Sequence, residues 1–184
     1  MKETPDIWHR VSSEEAADCR VFKVFEDHCE RDSDGKESSF FVIRAGDWSN
    51  VIAVTDSDEM VLIEQYRQGI QQIITELPGG IIDDGEDPAE AAKRELVEET
   101  GYSSNDWTHI GISHPNPAIQ DNVIHHFLAT GCKRTAEPNL DDNESVVTRL
   151  VPVDEVMNMT ARGEITHSMV VAAFFYYQNR QRTL

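Results

Sequence analysis

Between Gly80 and Tyr102 the chain carries a run of spacings that constrains its fold more than any other segment. The run reads Gly-x5-Glu-x7-Arg-Glu-Leu-x-Glu-Glu-x-Gly-Tyr, and its residues are Gly80, Glu86, Arg94, Glu95, Leu96, Glu98, Glu99, Gly101 and Tyr102. On a helix, Glu95, Glu98 and Glu99 share one face because they lie three and four positions apart. The spacing therefore predicts a helix that gathers three carboxylates on one side.

This carboxylate face predicts a metal site. A plain helix gains nothing from it, because like charges at this spacing repel one another by roughly a few tenths of a kcal/mol per pair. A divalent cation removes that repulsion, and oxygen ligands suit Mg²⁺ or Mn²⁺. We therefore predict that Glu95, Glu98 and Glu99 bind Mg²⁺, with Mn²⁺ as a second candidate. The alternative is a solvated acidic helix face.

The ends of this helix are marked in the sequence. Asp87 is a good N-cap, and Pro88 suits the first helical position. Gly101 favours a stop at the other end. Ala92 and Leu96 belong to an apolar stripe that would face the core, which leaves the glutamate face for the metal.

Length and charge limit the possible partners. At 184 residues the chain is about one domain long and can bury a sizeable core. Its 16 basic and 34 acidic side chains give a net charge of -18. Such a field repels phosphate backbones, so we expect no nucleic-acid partner. It also repels small anionic substrates, so a phosphate ester would need bound cations and local arginines.

The cysteines and the terminal residues predict the compartment. Cys19, Cys29 and Cys132 have neither disulfide-framework nor zinc spacing, which favours reduced thiols. Residues 1–10 are polar and predict no secretory signal. The longest apolar stretch, residues 169–177, is about half the length of a membrane span. We expect a soluble, cytoplasmic protein without a membrane partner.

The remaining patterns predict an α/β fold. Alternating and apolar runs favour strands at residues 20–29, 38–44, 51–54, 60–66, 73–77, 107–113, 123–129 and 146–151. Helices are expected at residues 154–161 and 168–178 as well as in the signature segment. The first two strands would form an N-terminal antiparallel β-hairpin. The rest would form a mixed β-sheet with helices on both faces.

Two adjacent histidines, His125 and His126, fall on a predicted strand. Successive strand residues face opposite sides, so the two cannot easily bind one metal. We favour core or edge packing for both.

The complete run from Gly80 to Tyr102 resembles the signature of the Nudix hydrolases. Residues 76–80 and 64–67 are similar to the ADP-ribose pyrophosphatase branch, which includes the nucleoside diphosphate sugar hydrolases, and the resemblance covers roughly residues 48–178. It implies a Nudix-type α/β/α sandwich at residues 48–184. Residues 1–47 would form a hairpin region that exchanges between subunits. The phenylalanines of this hairpin would need a partner surface, which also favours a homodimer.

The resemblance also implies roles for individual residues. In that branch the carbonyl matching Gly79 and the glutamates matching Glu95 and Glu99 bind magnesium, and an arginine matching Arg67 lies near the substrate phosphates. We assign metal binding to Gly79, Glu95, Glu98 and Glu99, substrate binding to Arg67, Glu76 and Pro117, and catalytic roles to Glu144, Glu98 and Arg94. We interpret Arg94 as the residue that orients the glutamates through ion pairs.

Two loops after the signature complete the expected site. The branch takes its general base from an acidic loop, here residues 139–145, where Glu144 is the first choice and Asp142 the second. A solvated acidic loop is the alternative. Residues 114–122, which include Pro117, would line the substrate pocket. Ala118 and Asn122 replace the glycine and acidic residue usual there, which leaves the preference for the sugar half open.

The implied function is Mg²⁺-dependent hydrolysis of the pyrophosphate bond of nucleoside diphosphate sugars such as ADP-ribose, which gives a nucleoside monophosphate and a sugar phosphate. One alternative is a Nudix hydrolase of (deoxy)nucleoside triphosphates or dinucleoside polyphosphates. A second is a non-catalytic nucleotide-binding sensor, although a sensor has no need of every signature carboxylate. RNA decapping is disfavoured because the chain has no basic patch.

Overall fold

The computed structural model describes residues 4–140 and 144–180. The strands in this part of the chain are β1 (Trp8–Asp18), β2 (Phe22–Arg31), β3 (Glu37–Ala45), β4 (Trp48–Thr55), β5 (Glu59–Arg67), β6 (Gln72–Glu76), β7 (Tyr102–Ser103), β8 (Asp106–Ser113), β9 (Ile124–Arg134) and β10 (Val146–Pro152). The helices are α1 (Pro88–Thr100), α2 (Val153–Ala161) and α3 (Ser168–Asn179). The predicted α/β class is confirmed.

The larger sheet runs in the order β10-β5-β4-β9-β7, with β6 paired to β5 and β8 paired to β9. It is mixed because β4 and β9 are parallel, whereas β5 is antiparallel to β4, β6 and β10. Alternate side chains of the central strands face opposite sides. Ile52 and Leu62 pack with α2 and α3, and Val51 and Val61 pack with α1. Helices therefore cover both faces, as predicted.

Helix α1 begins and ends where the sequence predicts. The Asp87 side chain accepts hydrogen bonds from the backbone N–H groups of Ala89 and Glu90, and Pro88 opens the helix. Gly101 closes it with a φ of 74°, a value that favours glycine. Leu96 is fully buried against the sheet. The acidic face of α1 is left for the site.

The N-terminal strands form a separate antiparallel sheet in the order β1-β2-β3. The β2–β3 pair is the predicted hairpin, whereas β1 was not predicted. This compact unit reaches Gly46 and also includes Asn116–Asn122, which the sequence assigns to the second domain. Backbone pairing explains the difference, because the Ile43 N–H donates to the Ile119 carbonyl at 2.7 Å. The other unit comprises Asp47–Pro115 and the chain from Val123 onward.

None of the helices in the described part of the chain has the length and apolar character of a membrane span.

Candidate active site

Two glycines bring the backbone against the acidic face of α1. The Gly79 N–H donates to Glu99 Oε2 at 2.8 Å. Gly79 has a φ of 154°, and a Cβ there would overlap the Ser49 carbonyl oxygen. A Cβ on Gly80 would lie 2.6 Å from the carboxyl carbon of Glu95. Glycine at position 79 therefore lets the loop lie against β4, and glycine at position 80 lets it approach the carboxylate of Glu95.

The two glutamates share a desolvated environment. Glu99 is 5% exposed, and burial raises its pKa to about 8. The Gly79 N–H opposes this rise in pKa, whereas the charges of Glu95 and Glu144 add to it. Burial also raises the pKa of Glu95, with Arg94 acting in the opposite direction. Such paired, partly or fully buried carboxylates are stabilised in their charged form by a cation.

Arg94 connects three acidic side chains. Its guanidinium donates to Glu86 twice, at 3.0 Å each, to Glu95 at 2.7 Å and to Glu98 at 3.2 Å. Its Nη2 also donates to the Ile81 carbonyl. These bonds raise the pKa of Arg94, with Glu86 as the largest cause. The ion pairs expected of Arg94 are thus present.

The donor set fits a hard divalent ion by its chemistry. Carboxylate oxygens of Glu95, Glu98 and Glu99 and a backbone carbonyl are ligands that suit Mg²⁺ or Mn²⁺. Among the described residues, however, no three acidic, histidine or cysteine side chains already converge as an ion would require. Glu95 and Glu98 are held by Arg94 instead. The three carboxylates predicted to share one face of the helix therefore do not converge on a single point in this arrangement.

An ion pair between the exposed Arg67 and the buried Glu76 lies close to these glutamates. Glu76 is 2% exposed and accepts from Arg67 Nη2 at 2.6 Å, from Arg67 Nε at 3.0 Å and from Gln65 at 2.9 Å. The positive charge of Arg67 opposes the rise in the pKa of Glu99 that burial causes. The structure thus brings the predicted substrate residues Arg67 and Glu76 together near α1.

The sequence did not predict that Arg67 and Glu76 pair with each other. The register of the β5–β6 hairpin is the signal that would have shown it. Ile63 lies opposite Glu76, and Arg67 lies opposite Gln72, so residues 63, 65 and 67 share a face with residue 76.

The remaining predicted site residues are Glu144, Asp142 and Pro117. Glu144 is exposed, and its charge raises the pKa of both Glu95 and Glu99, so it lies near them. Asp142, the second candidate base, falls outside the described residues. Pro117 is exposed in the segment Asn116–Asn122, which belongs to the N-terminal unit.

Comparison with known proteins decides the family. The NUDIX domain model matches residues 48–174. The chain belongs to the Nudix family. The predicted resemblance is confirmed, and family membership implies a divalent metal cofactor.

Individual relatives of this Nudix protein agree with the assignment. It is 32% identical to a methanol dehydrogenase activator of Bacillus methanolicus, over 91% of each chain. It is 30% identical to an ADP-ribose pyrophosphatase of Bacillus subtilis (strain 168), over 80% of each chain. A solved structure described as an ADP compounds hydrolase matches with a TM-score of 0.85 at 22% identity, covering 99% of this chain and 98% of that one. This last likeness shows the fold.

Proposed function

We propose that this Nudix protein hydrolyses the pyrophosphate bond of nucleoside diphosphate sugars, with ADP-ribose as the first substrate to test. The products are a nucleoside monophosphate and a sugar phosphate. The observation that carries the proposal is the placement of the buried Glu99 and the half-buried Glu95 against the Gly79–Gly80 backbone with the charge of Arg67 beside them. The similarity to the Bacillus subtilis ADP-ribose pyrophosphatase supports this substrate class.

The acidic face of α1 would hold Mg²⁺, or Mn²⁺, through Glu95, Glu98 and Glu99. When bound, the ion supplies positive charge for the diphosphate oxygens. Arg94 fixes the directions of Glu95 and Glu98 through its Nη1, while its Nε and Nη2 bind Glu86. This arrangement supports a positioning role for Arg94.

The Gly79 carbonyl is the proposed backbone ligand. The carbonyls of Pro78 and Gly80 accept from the N–H groups of Val51 and Ser49 in β4. These two bonds leave the carbonyl of Gly79, the residue between them, as the candidate ligand. The N–H of the same residue donates to Glu99.

Arg67 and Glu144 would act on the substrate and on the attacking water. Arg67 presents part of its guanidinium to the diphosphate and offsets locally the net charge of -18. Glu144 accepts the proton from the water whose oxygen attacks phosphorus, while the bond from phosphorus to the bridging oxygen breaks. The exposure of Glu144 lets it return that proton to solvent. Glu76 binds Arg67, and Pro117 is proposed to contact the substrate.

The test is a substrate panel of ADP-ribose, GDP-mannose and dGTP, each incubated with Mg²⁺ and followed by chromatography of the products. We expect equal amounts of AMP and ribose 5-phosphate from ADP-ribose. Faster hydrolysis of dGTP would contradict the proposal and favour the triphosphate alternative. Measurable ADP-ribose binding without turnover would contradict it in favour of a sensor.

Regulation of a partner enzyme is a second candidate function. It is favoured by the similarity to the methanol dehydrogenase activator, which extends over 91% of both chains. Adding the protein to a purified methanol dehydrogenase and measuring the rate of that enzyme tests this role. An unchanged dehydrogenase rate would contradict it.

We further propose a homodimer formed through residues 1–47, with residues 48–184 as the hydrolase domain. Exposed apolar side chains of the N-terminal strands and of the β1–β2 turn support this, namely Val11, Val21, Phe40 and Phe41. A cytoplasmic location is proposed as well, and the free state of all three cysteines supports it.

A further inference from the structure

A histidine far away in sequence faces the Arg67–Glu76 pair. His167 immediately precedes α3, and its Nε2 lies 3.6 Å from Glu76 Oε1. It belongs to neither the signature run nor the β5–β6 hairpin. Glu76 is thus approached from two directions, by Arg67 and Gln65 along the sheet and by His167 from the start of α3.

Packing alone does not explain a histidine at this position. His167 Nδ1 is buried and has no hydrogen-bond partner in the described structure. A buried nitrogen without a partner costs free energy, whereas a leucine would fill similar space at no such cost. The His167 side chain also makes no capping hydrogen bond to α3. What the imidazole adds over an apolar side chain is therefore its Nε2, the atom that faces Glu76.

A neutral imidazole can contact the Glu76 carboxylate without forming a second ion pair that competes with Arg67. Burial lowers the pKa of His167, Glu76 acts in the opposite direction, and Arg67 adds to the lowering. The neutral ring carries one N–H. We assign the tautomer with this N–H on Nε2, which leaves Nδ1 as an acceptor. The N–H dipole then lies 3.6 Å from the carboxylate, an electrostatic contact longer than a hydrogen bond. A neutral ring adds no charge of its own beside the Arg67–Glu76 ion pair.

The position of the Glu76 carboxylate determines the orientation of the Arg67 guanidinium. Its Nε and Nη2 are bound to Glu76, which fixes the plane and direction of the guanidinium. The fork is rigid, so its Nη1 edge points away from Glu76. Any rotation of the Glu76 carboxylate would swing that edge. Fixing the carboxylate from a second side fixes the donor edge that Arg67 offers to an anion.

We propose that His167 is a positioning residue for substrate binding, which holds Glu76 so that Arg67 presents its guanidinium to the substrate diphosphate. This inference rests on the proposed function, because it takes Arg67 as a ligand of the substrate phosphates.

The test is a double-mutant cycle with His167→Leu and Arg67→Lys, measured as KM and kcat for ADP-ribose. We expect His167→Leu to raise KM by at least about threefold with kcat nearly unchanged, a coupling of the size seen between contacting residues. The increase should shrink in the Arg67→Lys background, where the rigid fork is absent. His167→Gln, which restores an N–H donor, should recover part of the wild-type KM. His109→Leu, a change at an exposed histidine of β8, is the matched control and should alter neither constant.

Thermal unfolding separates positioning from a structural role. His167→Leu removes the unpartnered Nδ1, so its Tm should equal or exceed that of the wild type. A lower Tm together with a higher KM and a lower kcat would overturn the inference. So would an unchanged KM, or a KM increase of equal size in both Arg67 backgrounds.

A binding measurement distinguishes a wrong role for His167 from a wrong proposed function. The same cycle run on the Kd of a non-hydrolysable ADP-ribose analogue, by calorimetry with Mg²⁺ present, tests His167 even if the protein does not hydrolyse ADP-ribose. Binding coupled to His167 without turnover would overturn the proposed function and support the inference. Absence of ADP-ribose binding to the wild type would overturn both.

Discussion

Among single residues, Glu99 is the one whose substitution we expect to reduce turnover most. Its carboxylate is buried, accepts the Gly79 N–H and has a pKa raised to about 8 by burial. We predict that Glu99→Gln lowers kcat by at least about 10²-fold, the scale of losing one electrostatic contact in a catalytic site. The fold should be kept, because the amide oxygen can still accept the Gly79 N–H.

The measurement is kcat with Mg²⁺ together with the Tm. Glu90→Gln is the matched control, since Glu90 lies on the same helix but is exposed and pairs with Lys93. Near-normal turnover in Glu99→Gln would contradict the metal assignment.

The two glycines of the loop should respond differently to alanine. In Gly79→Ala the new Cβ would meet the backbone of β4, 2.7 Å from the Asn50 Cα, at a φ of 154°. Backbone cannot easily move aside, so we expect a loss of stability of roughly 1–3 kcal/mol or more. In Gly80→Ala the Cβ meets the carboxylate of Glu95, which can rotate. We expect this variant to keep its stability and lose activity.

Urea unfolding and ADP-ribose turnover of the two variants check this contrast. Equal loss of stability in both would show that Gly80 serves only the fold.

At the scale of elements, a buried histidine joins three strands. His126 of β9 contacts Asn50 Oδ1 of β4 at 2.7 Å and Ser113 Oγ of β8 at 2.8 Å. It is fully buried, in keeping with the core packing expected for it. Burial lowers its pKa from 6.5 to about 4. Protonation of His126 therefore favours the unfolded chain.

This network predicts a pH dependence of stability. Between about pH 6.5 and about pH 4 the unfolded chain binds a proton at residue 126 and the folded chain does not. The contribution of neutral His126 is thus fully present above pH 6.5 and is lost as pH falls towards 4, at about 1.4 kcal/mol per pH unit. Urea unfolding at pH 7, 6 and 5 should show this extra slope in the wild type and not in His126→Gln. Equal slopes would contradict the burial of a neutral ring.

Local signals predicted most elements but not β1. The ends of α1 follow from Asp87, Pro88 and Gly101, because caps act through neighbouring backbone groups. Strand β1, in contrast, is almost wholly exposed and polar, and two register shifts interrupt its alternation. It is held by pairing with β2 along its length. Such long-range pairing leaves no periodic pattern in a short window.

The same distinction applies to the site. Glu95, Glu98 and Glu99 were found from spacing along one helix. Arg67 and Glu76 were chosen from a resemblance, and their mutual ion pair depends on hairpin register. His167 was missed because it approaches Glu76 from α3, and no local pattern marks a side chain whose partner lies in another element.

At the scale of the whole molecule, the proposed dimer is directly testable. Phe41 is 58% exposed in the N-terminal sheet. We predict that light scattering of the wild type gives about twice the chain mass of 20.8 kDa. Phe41→Glu should shift the measured mass towards that of one chain, because it places a charge in an apolar interface. Phe175→Glu is the matched control, because Phe175 is similarly exposed but lies on α3. A monomeric wild type, or a shift only in the control, would contradict the assignment of residues 1–47 to dimerisation.

The central claim is that the acidic face of α1 holds a divalent ion for diphosphate hydrolysis. The most direct measurement is anomalous diffraction from crystals soaked in Mn²⁺ with a non-hydrolysable ADP-ribose analogue. We predict a manganese peak beside Glu95 and Glu99 in the wild type, with the diphosphate next to it, and a weakened peak in Glu99→Gln. A fully bound analogue with no anomalous peak at these glutamates would contradict the claim.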